Sequence, residues 1–238
     1  MTVLVISGTN TDIGKTVVTA AVAALARAAG RRVVVLKPAQ TGVGPGEDGD
    51  AQVAVRLAGE EVAAVELARF PEPLAPATAA SRAGMVPVTP RDVADAARKL
   101  ATEYDLVLVE GAGGLLVRLD SEGGTLADAA RLLDAPVLVV AAPALGTLNL
   151  VQLTGEALRA RGLTPLGVVV GSWPEAPGLA ERCNVPELAD MAGAPLLGAV
   201  PEGAGALDPV RFRELAGQWL APELGGEWDV EVFAERVR

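Results

Sequence analysis

The stretch Gly8-Thr9-Asn10-Thr11-Asp12-Ile13-Gly14-Lys15-Thr16 constrains this chain more than any other. An apolar run, Val3 to Ile6, precedes it and reads as a buried strand. Apolar or small residues at Val18, Val22, Leu25 and Ala29 follow at helical spacing. A strand, a glycine-bearing turn, Gly-Lys-Thr and a helix are the setting in which a phosphate-binding loop works. The first amides of such a helix have no partners within it and point into the turn. Together with the helix dipole they make an anion site. Lys15 can reach terminal phosphates, and the Thr16 hydroxyl can ligate Mg2+. Five residues, Thr9 to Ile13, separate the first glycine from Gly14-Lys15, where the common form of the loop has four.

Further apolar runs read as strands: Val33 to Leu36, Leu106 to Val109, Pro136 to Ala142, Pro165 to Val170 and Pro195 to Val200. Pro38 is expected to end the pairing of the second. Helical segments alternate with them: Ala51 to Leu57 opened by Asp50, Pro90 to about Ala101 capped by Thr89, Leu126 to Leu133, a helix after Thr147, Pro186 to Met191, and Asp208 to about Leu220. Phe70 to Pro90 reads as a long ordered loop with one helical turn near Ala77 to Arg82. Continuously apolar strands between helices imply an α/β fold: a single domain over residues 1–225 with a mostly parallel sheet flanked by helices on both faces. Residues 226–238 form a tail without assigned structure.

Composition removes whole classes of chemistry. There is no histidine, so imidazole bases, Ser/His triads and His-ligated metals are out, leaving lysine, carboxylate, hydroxyl, backbone amides and bound metal. The net charge of −10 disfavours a nucleic-acid partner, whose affinity rests on neutralising phosphates. No segment is apolar for long enough to span a membrane. The start lacks a basic segment before its apolar run, so no secretory signal is expected. The lone Cys183 fits a reducing cytoplasm.

Ligands in parallel sheets gather beyond the carboxyl ends of strands. Lys15 and Thr16, Lys37, and Glu110 fall at such ends. Glu110 closes a buried strand and is the natural second half of an Mg-nucleotide site beside Thr16, or else a solvated strand-end acid. Asp50 is a further metal ligand or a helix N-cap. Lys37 is a second cation for charge developing on a phosphoryl group, or a lysine reaching for solvent. Thr147 reads as an N-cap, at a helix start that could also hold a carboxylate.

Taken together, these residues resemble the dethiobiotin synthetases, ATP-dependent cyclo-ligases. The resemblance rests on the five-spacer loop Gly8 to Thr16, on Lys37-Pro38 with Thr41-Gly42, and on Val109-Glu110-Gly111-Ala112-Gly113-Gly114. Leu145-Gly146-Thr147-Leu148-Asn149 and Pro195-Leu196-Leu197-Gly198 with Val200-Pro201 extend it over nearly the whole chain. It implies a homodimer that converts 7,8-diaminononanoate, CO2 and ATP into dethiobiotin, ADP and phosphate. By motif, Lys15 and Lys37 would neutralise the carbamate and the transferring phosphoryl group. Thr16, Asp50 and Glu110 would hold Mg2+, and Thr11 and Thr41 would contact the diamine. The nucleotide would lie along Asp12, Ile13, Gly14, Lys15, Thr16 and Val17, then Glu110, Gly111, Ala112 and Gly113, and finally Gly171, Ser172, Val200, Pro201 and Glu202. Thr147, Leu148 and Asn149 of the neighbouring subunit would receive the substrate carboxylate.

Three positions depart from the family pattern. Asp12 and Thr41 stand where Glu and Ser are frequent, and both keep the chemistry. Gly171-Ser172 stands where some members carry an Asn-Asp pair that reads adenine. Relaxed base selection is therefore expected, with CTP or GTP working beside ATP. The alternative reading is a partition- or division-type ATPase switch. Those proteins usually carry a second lysine just after the first glycine of the loop, where this chain has Thr9.

Overall fold

The computed structural model describes residues 2–237. The strands are β1 (Val3–Gly8), β2 (Val33–Thr41), β3 (Ala63–Phe70), β4 (Leu106–Gly114), β5 (Val137–Ala141), β6 (Pro165–Trp173) and β7 (Leu196–Pro201). They form one parallel sheet in the order β3-β2-β4-β1-β5-β6-β7. The helices are α1 (Lys15–Ala28), α2 (Asp50–Ala58), α3 (Pro76–Ala83), α4 (Pro90–Leu100), α5 (Leu126–Leu133), α6 (Thr147–Arg159), α7 (Leu179–Asn184), α8 (Leu188–Ala192), α9 (Pro209–Leu215) and α10 (Val230–Val237).

The right-handedness of β-helix-β crossovers sorts these helices between the two faces. From β1 the chain moves one way along the sheet to β2 and β3. From β4 it moves the other way to β5, β6 and β7. Thus α1 and α2 cover one face, where α9 joins them, and α4, α5, α6 and α8 cover the other. The reversal lies between β1 and β4, and a crevice opens at their carboxyl ends.

The core is built from small and branched aliphatic side chains, as a chain with three Phe, one Tyr and three Trp requires. Ala20, Ala21, Ala23 and Ala24 of α1 are buried, and α1 packs against both the sheet and α2. Such small side chains let the helix axis approach the sheet closely.

Several expectations are corrected. The sequence reading yields six strands, and the seventh is β3, Ala63–Phe70. It lies at the sheet edge, half-buried along most of its length, and carries Glu66 and Arg69. Its pattern is therefore neither continuously apolar nor cleanly alternating. Pro38 does not end β2. Pairing with central β4 stops at Leu36, but pairing with β3 continues to Thr41 opposite Phe70. Past Leu36 the strand has one hydrogen-bonded neighbour, and a proline is tolerated there. Helix α3 has two turns rather than one. The helix expected over Pro186 to Met191 is α8, starting at Leu188, while α7 before it is not among the expected helices, and the last expected helix ends at Leu215 before a short 3-10 turn, Ala216–Gln218. The tail carries α10, whose Phe233 packs edge-on against Trp173 at 5.0 Å and meets Trp228 at 5.3 Å.

Candidate active site

The turn between β1 and α1 is held by backbone geometry. Gly14 has φ 88°, a left-handed conformation that suits glycine. It also lies against β6: a Cβ on Gly14 would stand 2.1 Å from the Gly171 carbonyl oxygen, and one on Gly171 would stand 2.0 Å from that of Ile13. Loop and strand thus meet backbone to backbone. Asp12 is left-handed too, at φ 53°, a conformation that Asp tolerates better than bulky residues. Lys15 opens α1, and its Nζ folds back to donate to the Asn10 carbonyl at 2.7 Å. Burial, followed by repulsion from Lys37, lowers the Lys15 pKa below its usual 10.5.

Sheet register brings the other charges to the same place. Ile6 pairs with Glu110, which sets that carboxylate beside the end of β1. Thr16 Oγ1 donates to Glu110 Oε1 at 2.9 Å. Lys37 Nζ donates to the same oxygen at 2.9 Å and to the Gly111 carbonyl at 3.2 Å. It also pairs with Asp50 Oδ2 at 2.5 Å. Lys37 is 2% exposed and Glu110 fully buried, so the solvent-reaching reading of Lys37 and the solvated reading of Glu110 both fall. Burial alone would lower the Lys37 pKa. Glu110 and then Asp50 outweigh that effect, and the net shift is upward. The buried ammonium therefore stays charged at neutral pH.

Glu110 Oε2 is buried and has no protein partner. An orphaned carboxylate oxygen beside a threonine hydroxyl, with Asp50 across from it, is an all-oxygen donor set suited to Mg2+ with phosphate oxygens completing the shell. Among the described residues no group of three or more His, Cys, Asp or Glu could hold a metal. A metal here would draw on Thr16 and on the nucleotide as well as on the two carboxylates.

Lys15, Thr16, Lys37 and Asp50 line a cavity of about 870 Å3. It collects Thr11, Asp12, Gly14, Lys15, Thr16, Val17, Lys37, Thr41, Asp50, Ala112, Gly113, Gly171, Ser172 and Pro201. Ile13, Glu110, Gly111 and Val200 are buried behind that surface, and Glu202 is exposed outside it. The sequence reading overlooks Gln40, Val43, Val117, the Pro73 to Pro76 wall and Gly203 to Gly205. A polar Gln40 following Lys37 in an extended strand, and the prolines after Phe70, were the available signals.

Thr147, Leu148 and Asn149 do not line this cavity. They start α6, where Gly146 at φ 94° is the capping residue and Thr147 the first helical one. The N-cap reading of Thr147 is thus corrected: its hydroxyl is buried and makes no capping bond. Asp50 likewise is not a cap, because Gly49 holds that position and Asp50 is free to pair with Lys37.

The chain is similar to known proteins along its whole length. A family model described as an AAA domain matches residues 2–208. The ATP-dependent dethiobiotin synthetase BioD of Streptomyces coelicolor is 66% identical over 236 residues, covering 99% of each chain. The protein of the same name from Saccharopolyspora erythraea is 66% identical over 228 residues, covering 96% of this chain and 99% of that one. Among solved structures, a ParA family ATPase from Chlorobium tepidum superposes with a TM-score of 0.57 at 14% identity, over 100% of this chain and 98% of the other. The cell division ATPase MinD of Pyrococcus furiosus gives 0.55 at 21%, over 90% and 96%. Such distant structural likeness shows the P-loop NTPase fold alone. The phosphate loop, the Lys37–Glu110–Asp50 cluster and two-thirds identity along the whole chain agree, and the chain belongs to the ATP-dependent dethiobiotin synthetase family.

Proposed function

We propose that this chain closes the ureido ring of dethiobiotin from 7,8-diaminononanoate, CO2 and a nucleoside triphosphate, releasing the diphosphate and phosphate. The observation that carries this reading is the buried Lys37 ammonium set between Glu110 and Asp50, beside a phosphate loop. One substrate amine adds to CO2 and loses a proton to give a carbamate. A carbamate oxygen takes the γ-phosphoryl group from the nucleotide, forming a mixed carbamic-phosphoric anhydride. The second amine attacks the carbamoyl carbon, phosphate leaves, and the ring closes. The substrate supplies both nucleophiles, so a chain without histidine suffices. Its residues need only position the groups and stabilise charge.

Each residue then has a task. The amides of the 9–16 turn cradle the phosphates. Lys15, whose ammonium is disfavoured by burial and by Lys37, gains a partner in the phosphate oxygens. Lys37, charged at neutral pH, faces the carbamate and the transferring group. Thr11 on the loop and Thr41 on β2 both line the cavity and would contact the diamine. Thr16, Glu110 and Asp50 would hold Mg2+, which neutralises phosphate charge when bound. The start of α6 would receive the substrate carboxylate from a second copy in a homodimer. Exposed Leu145, Leu150 and Leu153 around it support a covering surface, Leu145 being 87% exposed.

Gly171 and Ser172 supply no amide side chain to the base, which supports use of CTP or GTP as well as ATP. Strict ATP dependence in a nucleotide panel would defeat that part. The central test is an assay with diaminononanoate, bicarbonate and Mg-ATP that follows dethiobiotin by mass. Product that requires every component, and vanishes with Lys37→Ala, is the expected result. ATP hydrolysis indifferent to the diamine, with no dethiobiotin, overturns the reading.

A further inference from the structure

The segment that delivers Asp50 is held from behind by an arginine. After Thr41 the chain runs through exposed Pro45 to Asp48 into buried Gly49 and then Asp50. Arg69 on β3 spans this segment. Its Nη1 donates to the Gly44 carbonyl at 3.1 Å and to the Glu47 carbonyl at 2.7 Å. Its Nε and Nη2 donate to the two carboxylate oxygens of Glu66, each at 2.9 Å. The Gly44 amide donates to Glu47 Oε2 at 2.9 Å, folding the loop on itself. At its far end the Asp50 amide donates to Gln40 Oε1 at 2.8 Å, and the Gly49 amide to Gln52 Oε1 at 3.1 Å.

The β2–β3 register places Lys37 opposite Glu66 and Gln40 opposite Arg69. Glu66, Gln40 and Arg69 converge on Gly49. A Cβ there would lie 2.5 Å from Glu66 Oε1, 2.9 Å from Gln40 Oε1 and 3.0 Å from Arg69 Nη2. The Glu66 and Arg69 side chains are 13% and 25% exposed, so the pair is screened less than a surface ion pair.

We infer that Arg69, oriented by Glu66, is a positioning residue that pins the 44–49 loop and so fixes where Asp50 meets Lys37. A loop with Gly44, Gly46 and Gly49 has much backbone freedom to lose. The planar guanidinium grips a carboxylate on one edge and two carbonyls on the other, which a lysine cannot do. The role of the latch in catalysis rests on the ligase reading above; its role in ordering the loop does not.

The test uses the full chain and a glutamyl endoprotease, with cleavage after Glu47 followed by mass. Arg69→Ala is expected to speed that cleavage about tenfold or more, through local opening, with the melting temperature within a few degrees of the parent. Glu66→Gln should do the same more weakly, and Arg69→Lys should fall between parent and Arg69→Ala. In the dethiobiotin assay, the Mg2+ concentration for half-maximal rate should rise about tenfold in Arg69→Ala, while kcat at saturating Mg2+ stays within about threefold. Unchanged cleavage at Glu47 in both Arg69→Ala and Glu66→Gln overturns the inference. So does cleavage spread along the chain with a large fall in melting temperature. If Arg69→Ala does not fold, Arg69→Lys and Glu66→Gln decide by the same readout. A parent protein that forms no dethiobiotin defeats the ligase reading, and the proteolysis still judges the latch.

Discussion

The two ends of the cavity are built in opposite ways. Around the ends of β1, β2 and β4, charged side chains do the work: strand register sets Lys37 and Glu110, the start of α1 supplies Lys15 and Thr16, and the start of α2 supplies Asp50. At the ends of β6 and β7 the wall is backbone and small residues: Gly171, Ser172, Pro201 and Gly203 to Gly205. Its two strands are tied by the Glu202 amide donating to the Trp173 carbonyl at 2.7 Å. Trp173 is in turn backed by Phe233. A charge cluster is damaged by taking atoms away, whereas a wall of bare backbone is damaged by adding them.

Removing Lys37 is the largest expected effect. Breaking one partner of a buried ion pair typically costs about 3–5 kcal/mol, because the other charge is left without a partner in the interior. Lys37→Ala should therefore lower unfolding stability by roughly that amount and abolish dethiobiotin formation. The sharper test is the double variant Lys37→Met with Glu110→Gln. If the cluster is a coupled pair, denaturant unfolding will show the double variant more stable than the sum of the two single losses, though still inactive. Additive losses would mean the two side chains do not depend on each other.

At the other end, Gly171→Ala adds one carbon where the Ile13 carbonyl stands 2.0 Å away. Either β6 or the phosphate loop must move, at a stability cost of about 1–3 kcal/mol. ADP affinity measured by calorimetry should fall about tenfold or more, since the loop amides lose their aim. Ser172→Ala, which only deletes an oxygen from the same wall, should change affinity less than about threefold. Equal effects of the two substitutions would abolish the distinction between the ends.

The charged end was largely legible in the sequence because its residues close apolar strands. Lys37 after Val33-Val34-Val35-Leu36 and Glu110 after Leu106-Val107-Leu108-Val109 stand out against their neighbours. Parallel strands buried on both faces leave few places where a charge can sit except their ends. The sheet order, by contrast, depends on which strands pair, and no single run of residues shows that. Edge strand β3 was hidden by Glu66 and Arg69, and so the latch on the 44–49 loop was hidden too. The wall at Gly171 gives no local signal of its close approach, because contact between two backbones leaves no mark on side-chain pattern. Thr147 resembled a cap because its hydroxyl suits that place, yet Gly146, left-handed at φ 94°, takes it.

A pH titration distinguishes the two lysines. Lys37 has a raised pKa, so its contribution to stability is complete below the usual 10.5 and is lost as pH climbs through the raised value. Lys15 has a lowered pKa. Its charged form costs stability below that lowered value, and the cost is relieved as pH rises through it toward 10.5. On the function proposed above, phosphate binding would reverse this by giving the ammonium a partner. Nucleotide affinity should then be flat on the acid side of the Lys15 pKa and fall above it by up to about tenfold per pH unit. Calorimetry in two buffers of different ionisation enthalpy should show proton uptake on binding in that alkaline window and none below it. Uptake that persists in Lys15→Met would assign the titration to another group.

The smallest effect tests whether the tail supports the wall at the ends of β6 and β7. Phe233 is half-buried, touches Trp173 edge-on, and does not reach the cavity. Edge-to-face pairs contribute about 0.5–1.5 kcal/mol beyond the area they bury. Phe233→Ala should lower stability by about that amount and free Trp173, the residue next to Ser172. The KM for the nucleoside triphosphate should rise roughly threefold while that for the diamine stays unchanged, because β1, β2 and β4 are untouched. Phe233→Leu, which keeps apolar bulk without the ring, should recover part of the loss. If both KM values rise together, α10 supports the whole fold and not one wall; if neither moves, the Glu202-to-Trp173 hydrogen bond holds the β6–β7 wall without help from the tail.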